Sequence, residues 1–177
     1  MEAYGMNEQK IKEVMSNSVL LPLVADYVSA GRMVSLPLRG FSMRPYLEDN
    51  RDVALLSAVP ETLRRGDVIL ARLVWRDDFA LHRITSIEGD TIVMCGDGNH
   101  TPEVIRRSDV MAIAVGFYRN GSRKLDRVDT VKYRLYWRLW LFLKPVRRWL
   151  LLVWRLYHYP TDTLGVIKRR MLHPKNK

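Results

Sequence analysis

Ser42 stands within Gly40-Phe41-Ser42-Met43-Arg44-Pro45, a small hydroxyl residue between a flexible glycine and a rigid proline. A tight turn there exposes the hydroxyl while Met43 anchors the chain in apolar surroundings. Forty positions later, Ala80-Leu81-His82-Arg83-Ile84 sets a histidine in a strand-like run. A neutral imidazole beside Ser42 can take the hydroxyl proton as the oxygen attacks a carbonyl, then return it to a leaving amine. A third segment, Gly96-Asp97-Gly98-Asn99, precedes Glu103. Either acid can orient His82 and favour its charged form. Each segment also has an ordinary structural reading: a turn serine, a hydrogen-bonded strand histidine and a Gly/Asp/Asn turn. Arg83 cannot serve as the base, because its guanidinium stays protonated.

The elements that must hold these residues are short. From Met33 the chain runs through MVSLPL, DVALL, DVILARL, ALHRITSI, TIVMC and VMAIAV, separated by RGFSMRP, LRRGD, WRDD, IEGD and GDGNH. Strand-like runs between turn-prone connections predict a mainly β domain over residues 33–118. Pro37 predicts an edge or irregular strand. Residues 1–32 read as a helical appendage, with a helix over 8–31 interrupted near Pro22. Residues 119–132 read as a connector.

In the tail, residues 133–177, the period changes. Residues 133–159 place Arg134, Arg138, Lys144, Arg148 and Arg155 near one helical face. Leu135, Leu139, Phe142, Val146, Trp149, Leu150, Val153 and Tyr157 fall broadly opposite. This predicts one basic amphipathic helix, or two hinged at Pro145. A membrane surface suits its Trp, Tyr and Arg content. The alternatives are a helix that covers the β domain or pairs with another subunit, and a segment that crosses or re-enters the bilayer.

The +10 formal charge resembles a nucleic-acid signal until it is located. Residues 121–177 hold 15 Lys and Arg against 3 acids, leaving 14 basic and 16 acidic residues in the first 120. No nucleic-acid motif accompanies the positive tail, so DNA or RNA is not an expected partner. The single cysteine, Cys95, excludes an internal disulfide framework and a cysteine-rich zinc site, and its apolar setting predicts burial. At 177 residues the chain has room for one principal core. NSVLLPLVADYV is broken by Pro22 and Asp26 and lacks a strong basic region before it. The expected location is therefore cytoplasmic or at the cytoplasmic membrane face, with integral insertion through the tail as the alternative.

Taken in order, GFSMRPYL, RRGDVILAR, LHRI and CGDGN resemble the boxes of the signal peptidase I clan, specifically its Ser-His branch. The resemblance covers about residues 33–118 and implies a signal peptidase/LexA-like catalytic β domain. It further implies a serine endopeptidase in which Ser42 forms an acyl-enzyme and His82 relays protons. Gly40, Phe41, Met43 and Pro45 would lie near substrate or oxyanion. Several relatives carry a serine at the position of Gly40 that donates to the oxyanion, whereas Gly40 offers only backbone. Asp97 matches the late Gly-Asp box, but the branch's acid lies a few residues further on, where Glu103 stands. The implied partner is an extended peptide or leader-bearing precursor, with an exporter as a further possibility; no cofactor or metal is expected. The alternatives are regulatory self-cleavage near Val28-Ser29-Ala30-Gly31 and a non-catalytic, membrane-associated assembly protein.

Overall fold

The computed structural model describes residues 17–158. It is mainly β: an eight-stranded antiparallel sheet with three helices. Helix α1 (Asn17–Ser29) leads into β1 (Val34–Pro37) and β2 (Val53–Ser57). Next come β3 (Val68–Leu73), β4 (Asp78–Glu88), β5 (Thr91–Cys95), β6 (Glu103–Arg106), β7 (Val110–Tyr118) and β8 (Leu125–Arg127). Helices α2 (Val131–Phe142) and α3 (Arg147–His158) follow. The strand order is β1-β2-β7-β3-β4-β5-β6, with β8 on β7.

Strand β3 shows why the apolar run DVILARL forms a central element. Its alternate side chains enter two cores: Val68 and Leu70 join one, while Ile69, Ala71 and Leu73 join the other. A strand buried on both faces needs apolar residues at successive positions rather than at every second one. Fully burying a residue such as Ile69 contributes about 1.5–3 kcal/mol.

The first core also takes Val24 and Val28 from α1 and Tyr133 from α2. Helices α1 and α2 are thus packed into the same core as the sheet. Helix α1 continues through Pro22, correcting the expected interruption. A proline in a helix forgoes its own backbone donor, and here the helical path persists despite that loss. Residues 8–16 of the expected helix lie outside the described residues, as does the tail beyond His158.

Pro37 ends β1 at the edge of the sheet, where a missing ladder donor is tolerated. The expected connector over 119–132 contains β8, which pairs with the end of β7. Residues 143–146 separate α2 from α3, placing the helical break around Pro145. Thr130 caps α2 by accepting a hydrogen bond from the Tyr133 N–H. Among the described residues, no helix is long and apolar enough to cross a membrane.

Candidate active site

Ser42 lies in the loop between β1 and β2, which is braced by one contact within itself and one from the 96–99 loop. The Gly40 N–H donates to Asp49 Oδ1 at 2.7 Å, and Gly40 adopts φ +85°, a conformation glycine enters without Cβ strain. The Gly98 N–H donates to the Ser42 carbonyl at 2.7 Å. Met43 is buried below, while Phe41 remains exposed with the Arg44 guanidinium 4.0 Å from its ring centre. Arg44 in turn pairs with Glu48.

His82 is buried on β4, and its Nδ1 contacts the Glu103 carboxylate. The sheet register explains how β6 reaches β4 although β5 lies between them. Cys95, the last residue of β5, pairs with Arg83, so His82 lies one position beyond the end of β5. Glu103 opens β6 opposite Met94 and approaches His82 past that end. A carboxylate on Nδ1 favours the tautomer with its proton there, leaving Nε2 as the basic nitrogen.

Ser42, His82 and Glu103 line one cleft of about 260 Å³, together with Gly40, Met43 and Asn99. Leu38, Leu47, Leu73 and Leu81 supply apolar walls, while Arg39, Glu48, Arg76 and Asp78 bring charge. Phe41 and Pro45 do not line this cleft; Pro45 instead borders a separate pocket beside Tyr46 and Tyr136.

Asp97 is directed elsewhere. Its buried carboxylate accepts two hydrogen bonds from Arg83, at 2.8 and 2.6 Å, and one from the Tyr136 hydroxyl at 3.4 Å. Arg83 also donates to the Gly66 carbonyl and the Tyr133 hydroxyl, both at 2.9 Å. Burial alone works against the Arg83 charge, but the neighbouring Asp97 carboxylate and Tyr133 raise its pKa above the ordinary arginine value. Burial also raises the phenol pKa of Tyr133 and Tyr136, keeping both neutral: Tyr133 accepts from Arg83, and Tyr136 donates to Asp97.

The Asp97 loop therefore links the C-terminal helices to the nucleophile loop. Trp140 Nε1 donates to the Asp97 carbonyl at 3.0 Å, and Arg147 donates to the Asn99 carbonyl. From the other side, Gly98 holds Ser42. These roles of Arg83, Trp140 and Arg147 emerge only from the structure. Arg83 adjoins His82 and so projects to the opposite face of β4, an alternation that the strand pattern in the sequence already carries.

The approach of the two loops is close enough to demand glycine. A Cβ at Gly96 would stand 2.3 Å from the Ser42 carbonyl oxygen, and one at Gly98 would stand 2.8 Å from that of Phe41. Gly96→Ala is expected to destabilise the fold by about 1–3 kcal/mol through overpacking and to displace Ser42. Urea unfolding combined with reactivity of Ser42 towards a fluorophosphonate probe checks both effects.

Cys95 is buried and unpaired. Among the described residues, no three His, Cys, Asp or Glu side chains gather to hold a metal ion. No protein-family model matches this chain, and no curated protein is similar enough to count as a match.

Proposed function

We propose that the protein is a serine endopeptidase of the signal peptidase/LexA-like type, acting on an extended leader or signal-like peptide. The observation that carries this reading is that Ser42, His82 and Glu103 line one cleft, with Glu103 on the Nδ1 side of His82. Nδ1 is then committed, and Nε2 receives the Ser42 proton as Oγ attacks the peptide carbonyl. His82 returns that proton to the departing amine, leaving an acyl-enzyme. Water attacks the ester with His82 again as base, releasing the acid product and restoring Ser42. The Ser42 backbone N–H is the proposed oxyanion donor. The Gly40 N–H, already donating to Asp49, is occupied.

The sheet offers a place for the peptide backbone. Residues 78–82 of β4 line the cleft and pair with β3 on one side, whereas β5 pairs only from Arg83 onwards. An extended substrate laid along this stretch gains main-chain hydrogen bonds, with alternate side chains directed towards the apolar walls. Self-cleavage near Val28-Ser29-Ala30-Gly31 is less favoured, because Val28 is buried in the first core and Ser29 ends α1. The proposed substrate is a separate chain.

The test compares peptides in cells carrying the wild type with those in cells carrying Ser42→Ala. Precursors should accumulate in the variant, together with loss of their shortened products. Identical peptide populations, joined to no cleavage of those peptides by purified wild type, would remove the peptidase reading.

A further inference from the structure

Helices α2 and α3 each bury one side against the rest of the described residues and leave an apolar side exposed. Helix α2 turns Tyr133 and Trp140 inward, and α3 does the same with Arg147 and Leu151. On the exposed side, Leu135, Leu139 and Phe142 recur along α2, while Trp149, Val153 and Tyr157 recur along α3. Their exposure runs from 59% at Leu139 to 83% at Tyr157. Intervals of three and four keep each set on one helical side, so each helix has an unpartnered apolar stripe.

The accompanying charge has one sign. Against the expected opposition of basic and apolar faces, Arg138 lies beside the α2 stripe, three residues from Leu135 and four from Phe142, and Arg134 stands one turn before it. Lys144 and Arg148 are also exposed, and no acidic residue occurs between Asp129 and Asp162. We propose that this face docks on an anionic lipid surface. Apolar and aromatic side chains enter the boundary between headgroups and acyl chains, while the cations meet lipid phosphates. A second copy fits less well, since an isologous contact would oppose two positive faces without acids to pair them. Nucleic acid would leave the Leu, Val and Phe side chains unused, because its protein interfaces are predominantly polar.

Docking here also orients the candidate active site. Trp154, on the inward part of α3, has the Arg44 guanidinium 5.4 Å from its ring centre. The same guanidinium lies over Phe41, beside Ser42. Helix α3 thus stands next to the nucleophile loop, and lipid binding brings the cleft close to the bilayer. This consequence rests on the peptidase reading; the docking itself does not.

The test uses Leu139→Glu/Phe142→Glu/Trp149→Glu/Val153→Glu and vesicles of phosphatidylcholine with or without phosphatidylglycerol. Wild type and Ser42→Ala should sediment equally with the anionic vesicles, whereas the quadruple variant should lose at least about tenfold in affinity. Its far-ultraviolet circular dichroism and any cleavage of a soluble peptide should be retained. Unchanged sedimentation of the variant overturns the proposal, as does equal wild-type binding to pure phosphatidylcholine. Concentration-dependent dimerisation of wild type that the variant abolishes reassigns the face to self-association.

A second measurement does not depend on how the quadruple variant folds. Brominated anionic lipid should quench part of the wild-type tryptophan fluorescence, and Trp149→Leu should remove that part. Quenching that is absent, or undiminished in Trp149→Leu, also overturns the proposal. Loss of peptide cleavage with intact vesicle binding would remove the enzyme reading and leave the docking surface standing.

Discussion

Ser42→Ala is expected to lower peptide cleavage by at least about a thousandfold while leaving the fold intact. Removing one hydroxyl from a half-buried loop residue takes away little packing, so its effect should fall on chemistry. His82→Ala should be as inactive but less stable, because it empties a buried site and strips Glu103 of its contact. The double variant should be no slower than either single one, since nucleophile and base act as a unit. Glu103→Gln keeps the shape but loses the charge, and should lower kcat by about a hundredfold or more with little change in KM. Single-turnover kinetics on a substrate recovered from the Ser42→Ala cells checks all four variants. Persistent activity in purified Ser42→Ala would sink the nucleophile assignment.

The fold was most legible where burial is simplest. TIVMC matches β5 because Ile92 and Met94 point alternately into a core, and VILARL stands out because both sides of β3 are covered. Strand β6 leaves little trace in the sequence because only Ile105 among its four residues is buried, while Val104 faces outward. In the tail, the regular aliphatic stripe was visible, but the packed side was not. Tyr133, Tyr136 and Trp140 carry polar tips that bond Arg83 and Asp97, and those partners lie far away in sequence.

The same limit separated Asp97 from Glu103. Both stand close after β5 in sequence, and either can be drawn towards His82 on paper. The outcome depends on where β5 stops: His82 lies just past its end, open to Glu103, whereas Arg83 lies opposite Cys95 and turns towards Asp97. Two adjacent residues on one strand project to opposite faces, so each claims a different acid.

That division predicts opposite behaviour for the two acids. Asp97→Asn should destabilise the protein by about 3–5 kcal/mol, because it leaves the fully buried Arg83 guanidinium without a counter-charge. Tyr133, Gly66 and Trp140 would remain around a weakened centre, and the loop that holds Ser42 would loosen with it. Glu103→Gln should change stability much less, since its carboxylate lies in the cleft and a neutral amide can still bond the imidazole. Urea unfolding of the two variants decides between them. If Asp97→Asn unfolds like wild type yet loses cleavage, Asp97 acts in the chemistry and its pairing with Arg83 is secondary. If it unfolds early while Glu103→Gln is stable and slow, the buried pair maintains the architecture and Glu103 orients the base. The removal of both charges gives a further distinction: Arg83→Met/Asp97→Leu should recover part of the stability lost in Asp97→Asn, because no buried charge is then left alone.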